Sequence, residues 1–345
     1  MSKPKPHSNL LFSAFVQALA GSGSFYTGIY LNDMEPFVRN LTGRSLRHNY
    51  EIELSTEAAD FIWGLLCSAD VIGSLIFGFA LKWPLQKFGI KPTVMLWKNL
   101  AQIMSSLLVY FGVIFDSIFV FFLGNIISGY CIDICYLLPV FLTECSPDEF
   151  RGCVSMISYL GYPLFQLLAC ILGTRQLMGT ETLWPYYLLM PALFSLVHMA
   201  FYPFLPNSPK YLYITKEERD KAIESIRFYH GPDAKIEKVL EEYKREDDLA
   251  RSVKVTGYRE ILRTPHKAWP FWLCFSAGLA TSASCADITQ VYSTGMLESM
   301  GVADAWAPVF TLFLTQLPGV IANLFAVFLV DSWGRRPLML CGRNL

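Results

Sequence analysis

The chain reads as an all-helical, polytopic membrane protein: a six-helix bundle, a charged helical linker and two helices of a second bundle. Three observations predict this. Hydrophobic residues make up 53% of the chain and charged residues only 17%, against about 25% charged in soluble domains. Eight apolar stretches each approach the roughly 20 residues needed to cross a bilayer as a helix. Between residues 206 and 268 the composition switches to alternating charged and apolar positions at helical spacing, too polar to enter lipid.

Taken in order, Lys3 and Lys5 precede the first apolar stretch at 10–31 and place the N-terminus in the cytoplasm. No small-residue cleavage site follows it, so an uncleaved first helix is expected rather than a signal peptide. Residues 32–58 are expected to form a polar loop outside the cell. They carry the sequon Asn40-Leu41-Thr42, which makes Asn40 a glycosylation candidate in that position. Further spans are expected at 59–81, 92–114, 117–141, 153–174 and 184–205, completing an N-terminal bundle over 1–205. Glycines such as Gly64, Gly73, Gly124, Gly129 and Gly161 dot these spans, as close helix packing in lipid requires. The linker covers 206–268, and 269–345 holds the partial second bundle, with spans at 269–292 and 307–330.

A net charge of −1 leaves no electrostatic footprint for nucleic acid. The nine cysteines lie mostly within apolar stretches and lack metal-type spacing, so they read as packing residues. Gly21-Ser-Gly23-Ser sits in a membrane helix with no preceding strand and is no nucleotide fingerprint. With no nucleophile–base pair, metal box or phosphate loop, neither an enzyme nor a cofactor or metal is expected.

The eighth stretch ends at Asp331-Ser-Trp-Gly334-Arg335-Arg336-Pro337. Gly334 permits a tight turn that lets Asp331 and the arginines converge under the helix end, and paired arginines mark a cytoplasmic end. A weaker copy, Gln86-Lys87-Phe88-Gly89-Ile90-Lys91, follows the second stretch. Two related halves are a hallmark of secondary transporters. If the halves repeat, four further spans lie outside this chain, so a form truncated after the eighth span is expected.

Together with Thr27-Gly28, Pro139-Val-Phe-Leu-Thr-Glu144-Cys-Ser-Pro147-Asp-Glu-Phe-Arg151-Gly152, Pro206-Asn-Ser-Pro209-Lys210 and Tyr292-Ser-Thr294, this turn resembles the sugar porter family of the major facilitator superfamily. The animal facilitative glucose transporters are the most similar branch. The resemblance implies that Glu144, Arg151, Asp331, Gly334, Arg335 and Arg336 form a cytoplasmic gate whose ion pairs hold the halves together and break for inward opening. The departures cluster in the pocket. The family's sugar-binding glutamine of span five falls at Tyr159, its span-seven glutamine pair at Thr281 and Ser282, and the nearby asparagine at Asp287. Tyr26 stands where proton-coupled members place an aspartate.

Read without the family, Tyr159, Tyr162 and Gln166 share one face of span five. Aromatic rings with amide and hydroxyl groups suit a polyol, although the same stripe also serves interhelical bonding. On span seven Ser284, Asp287, Gln290 and Thr294 follow three- and four-residue spacing, with Thr281 and Ser282 a turn deeper and Tyr292 beside them. An ionisable residue at membrane depth costs about 2.5–3.5 kcal/mol on insertion scales. Asp287 is therefore a candidate to bind a cation or amine, exchange a proton or accept hydroxyls. Asp70 and Asp133 lack a polar stripe and read as structural.

The expectation is a multi-pass plasma-membrane protein that moves a small, hexose-like polar solute facilitatively by alternating access. The alternatives are a transporter of an organic ion or other metabolite in the same superfamily, or a transport-incompetent truncated form acting as a sensor or as the partner of a full-length homologue.

Overall fold

A computed structural model describes residues 7–252, 258–283, 286–303, 305–333 and 337. Every regular element among them is helical. The first span is a composite of Ser8–Leu19, a tighter 3-10 stretch Gly21–Tyr26 and the long helix Thr27–Tyr50. Glycines at 21 and 23 weaken the α-helix here, and the tighter turns begin at the Gly21 carbonyl. Lys98, fully buried on the third span, donates its ammonium to that Gly21 carbonyl. The break and the buried lysine thus satisfy one another.

The stretch 32–58, expected as a polar loop, is helical as far as Tyr50 and non-helical only over 51–55. The correction has a physical reason. Val38, Leu41, Thr42, Ser45 and Leu46 are buried at three- and four-residue spacing, so this is an amphipathic helix whose average hydropathy hides one packed face. Glu51, at φ 55, ends it, and the Ser55 hydroxyl accepts the Ala58 N–H at 3.3 Å to start the second span. The sequon therefore lies on a helix: Asn40 is exposed, while Thr42 is buried and donates to the Val38 carbonyl at 2.8 Å.

The second span, Thr56–Cys67 with Ala69–Phe88, bends by 43°. Ser68 sits at the bend and bonds back to the Gly64 carbonyl at 2.8 Å, a side-chain intrusion that bends helices. Ile90–Ile114, Ile118–Cys145, Asp148–Leu172, Trp184–Phe204 and Ala307–Phe325 are each long and apolar enough to cross a membrane. The chain is a multi-pass membrane protein. Pro265–Ala283 and Ala286–Ser299 are the two helices in the stretch expected as the seventh span.

Glycines set close backbone approaches at two helix crossings, and at one of them a Cβ on Gly73 of the second span would lie 1.8 Å from the Ile126 carbonyl of the fourth. A Cβ on Gly129 of the fourth span would lie 1.9 Å from the Asp70 carbonyl of the second. One on Gly161 of the fifth span would lie 2.2 Å from the Ala18 carbonyl of the first. No other side chain fits at these crossings.

The core forms two layers. One, around Tyr26, Met34, Trp63, Phe121 and Tyr187, fills the half of the bundle away from the linker. The other, around Leu10, Met95, Ile134, Phe141 and Val154, fills the linker-side half and takes in Tyr229 of the linker helix Arg219–His230. That helix also packs against Ile236–Ser252 through Ile226, Leu240 and Tyr243. Burying three such side chains stabilises the linker by about 1.5–3 kcal/mol each.

Candidate functional site

The seventh span meets the first along its far half, the half remote from the linker. Asn32, fully buried on the first span, donates from Nδ2 to Ser293 Oγ at 3.1 Å and accepts the Thr294 backbone N–H on Oδ1 at 3.1 Å. Thr294 Oγ1 lies 3.3 Å from Thr311 Oγ1 of the eighth span. Nearby, Gln176 Nε2 donates to the Ala305 carbonyl at 3.3 Å. The buried Asn32 and Thr294 links, with the exposed Gln176 bond, tie the helices Ala286–Ser299 and Ala307–Phe325 to the preceding helices on the far side. The linker-side half of span seven instead leaves large side chains exposed, with Trp269 at 70%. At this pair of spans hydrogen bonds join the far side, whereas the linker-side half of span seven is largely exposed.

Beneath the seal lies a cavity of about 440 Å³. The first span lines it with Phe25 and Gly28, the second with Asp70 and Ser74, the fourth with Asp133 and Tyr136, the fifth with Tyr162 and Gln166, and the seventh with Tyr292. The 43° bend of span two falls at Ser68, itself on the cavity wall. Gln166 is buried to 3% exposure. Phe25 and Tyr162 pack edge to face with centroids 4.9 Å apart, which fixes the Tyr162 ring. Deeper on the same side, Ser128 donates to Thr27 Oγ1 at 2.8 Å and Tyr30 donates to Asn125 Oδ1, joining the first and fourth spans.

Of the residues expected to bind solute, the structure brings Tyr162, Gln166 and Tyr292 to this cavity. Tyr159 is 41% exposed, one turn nearer the linker, and is not among the lining residues. Thr281, Ser282, Asp287 and Gln290 belong to the helices of span seven, but their side chains lie outside the described residues. Asp70, Ser74 and Asp133 were not singled out for the cavity by sequence reasoning. Ser74 donates to Asp133 Oδ1 across the second and fourth spans, and the Val71 N–H donates to Asp70 Oδ1 at 2.8 Å. The available signal was the bare presence of ionisable residues in apolar stretches.

On the linker side, Glu144, Arg151, Lys210, Tyr243 and Glu246 line a hollow of about 190 Å³. Arg151 Nη1 pairs with Asp148 at 2.7 Å, and Lys210 Nζ with Glu246 at 2.5 Å. Burial holds the Tyr243 phenol above its ordinary value. The expected partners Gly334, Arg335 and Arg336, and the Asp331 side chain, lie outside the described residues.

Comparison with known proteins agrees with this architecture. The family model described as "Sugar (and other) transporter" matches residues 12–343. The solute carrier family 2 facilitated glucose transporter member 3 of Ovis aries is 28% identical over 332 residues, covering 95% of this chain and 66% of that protein. The Bos taurus protein of the same name is 27% identical, covering 99% and 68%. Member 9 of Homo sapiens is 26% identical, covering 96% and 62%. The chain thus spans about two thirds of the length of these curated relatives. Among solved structures, the E. coli xylose transporter XylE in a partially occluded inward-open conformation superposes with a TM-score of 0.70 at 18% identity, covering 95% of this chain and 75% of that one. XylE bound to 6-bromo-6-deoxy-D-glucose gives 0.73 at 18% identity, covering 96% and 71%. At that identity these structures speak to the fold alone.

Proposed function

Because the chain belongs to the sugar (and other) transporter family, a family of transporters rather than enzymes, we propose that it takes part in facilitative movement of a small hexose-like solute across the plasma membrane by alternating access. In this reading the linker and the N-terminus face the cytoplasm, and the far side faces out. The single observation that carries it is the 440 Å³ cavity between five spans, lined by phenol, amide and hydroxyl groups beneath a hydrogen-bonded far seal. A site of this size and mixed character holds a polyol by stacking rings on its apolar faces while Gln166 and the tyrosines take its hydroxyls. Its position between the first bundle and span seven is where transporters of this architecture place their solute.

The test is uptake of radiolabelled D-glucose in cells lacking their own hexose uptake. Saturable uptake that falls at least about tenfold in Gln166→Ala, with the variant present at the membrane in equal amount, supports the reading. Uptake indistinguishable from empty cells overturns autonomous transport by this chain.

A further inference from the structure

The turn between the second and third spans carries lysines that no carboxylate answers. It is the first-half copy of the Asp331–Arg336 turn, with Gln86 in the place of Asp331. From Val71 to Phe115 the chain holds Lys82, Lys87, Lys91 and Lys98 but neither Asp nor Glu. Elsewhere on the linker side Arg151, Lys210, Arg219 and Lys221 each pair with an acid, whereas Lys82, Lys87 and Lys91 pair with none among the described residues. Gly89 makes the turn at φ 85, and a Cβ there would lie 2.6 Å from the ring of Tyr211, which holds the turn against the linker.

Rings, not acids, surround these lysines. The Lys87 ammonium lies 4.8 Å from the Trp83 ring centroid and 5.3 Å from that of Phe88. Trp83 packs edge to face on Trp97 at 5.5 Å, and Trp97 is fixed by donating its indole N–H to the Tyr130 hydroxyl at 2.9 Å. Trp83 is half-exposed and Phe79 almost wholly so, both at the linker-side end of the second span. Lys91 is buried with its ammonium 3.9 Å from the Tyr202 centroid, adding positive charge behind the turn. Exposed tryptophans settle at the headgroup level of a bilayer, which sets the exposed Lys82 and Lys87 at the depth of the lipid phosphates. We propose that this turn binds the headgroup of an anionic phospholipid of the phosphatidylserine type in the linker-side leaflet. Lys82 and Lys87 take its phosphate and carboxylate, and Trp83 lies along the boundary between headgroup and acyl chain. Anionic lipids concentrate in the cytoplasmic leaflet, and each lysine near such a surface favours them by roughly fivefold. The binding is independent of which solute the cavity takes.

The experiment follows tryptophan fluorescence of the full chain in phosphatidylcholine vesicles that carry a minor fraction of brominated phosphatidylserine or of brominated phosphatidylcholine, since bromine quenches an indole it touches. Quenching seen in the parent and absent from Trp83→Phe reports Trp83 alone, and phenylalanine keeps a ring beside Lys87. Trp83 is expected to associate with phosphatidylserine at least about fivefold more readily than with phosphatidylcholine. The preference should fall to near one in Lys82→Gln/Lys87→Gln and persist in Lys82→Arg/Lys87→Arg, which keeps the charge. It should also persist in Lys235→Gln/Lys244→Gln, which removes the same charge from exposed positions of the linker. Equal quenching by the two lipids in the parent overturns the proposal. So does a preference that survives the Lys82→Gln/Lys87→Gln change or that is lost equally in the linker variant, because bulk charge would then account for it. Inorganic phosphate, set against chloride at the same ionic strength, should leave the preference intact; its loss would identify a soluble anion as the ligand and overturn the lipid site.

Discussion

Asn32 on the first span accepts the backbone N–H of Thr294 on the seventh at 3.1 Å and donates to the neighbouring Ser293 hydroxyl at the same distance. One side-chain amide therefore answers two groups of another helix, and all three residues are nearly inaccessible to solvent. A buried donor or acceptor left without its partner costs about 1–3 kcal/mol, so this contact holds the far side shut more firmly than its size suggests.

Asn32→Ala removes both bonds at once and leaves the Ser293 and Thr294 groups unanswered. The far half of span seven is then expected to detach more often, by a factor of roughly 5–150 for about 1–3 kcal/mol. Amide hydrogen exchange along Ala286–Ser299 should quicken accordingly. Unchanged exchange over that helix would mean that apolar packing, not Asn32, keeps the two spans together.

Two glycine-to-alanine changes should act with opposite sign. At Gly129 the new methyl would meet the Asp70 carbonyl at 1.9 Å, forcing the second and fourth spans apart at a cost of about 1–3 kcal/mol or more. At Gly43, on the helix Thr27–Tyr50, nothing lies within 4 Å of the added carbon. Alanine there should stabilise by about 0.5–1 kcal/mol through helix propensity. Thermal unfolding followed by tryptophan fluorescence should show Gly129→Ala melting below the parent and Gly43→Ala at or above it. A Gly129→Ala protein melting with the parent would show that the crossing relaxes freely.

His230 ends the linker helix Arg219–His230. Burial pushes its imidazole below the ordinary value of 6.5, and nearby Arg151 adds to this; a hydrogen bond with the Cys145 backbone and the Asp148 charge oppose it. The sign follows directly. Above about pH 6.5 the ring is neutral in the folded and the unfolded chain alike, so it contributes no pH dependence. As the pH falls through 6.5 only the unfolded chain takes the proton, and stability declines until the lower folded value is passed. The melting temperature is expected to drop between about pH 7.5 and pH 5.5, and to drop less in His230→Gln. An equal drop in both proteins would place the acid sensitivity elsewhere.

How much could be read ahead varies with the physics of each element. Ile118–Cys145 was plain, because its apolar run is nearly unbroken and length alone identifies a span. The linker was equally plain from its charge. The helix continuing to Tyr50 was not, because its polar residues are buried only by neighbours distant in the chain. Gln166 and Tyr162 were found because they share a stripe on one helix. Asp70 and Asp133, read as structural, were not linked to the cavity because each stands alone on its own span. No periodicity along either helix announces a pair that exists only where the two helices cross.

The sequence by itself determined that the chain is helical, crosses the membrane several times and carries the signatures of a transporter family. Those properties follow from local composition and spacing, and bilayer thickness translates them into structure without reference to the rest of the chain. Only the tertiary structure decided which polar residues share a cavity, where span seven is hydrogen-bonded and where it is exposed. Those facts depend on helix crossings set by glycine contacts and on hydrogen bonds between residues as far apart as Asn32 and Thr294. Such long-range contacts leave no periodic trace along a single chain.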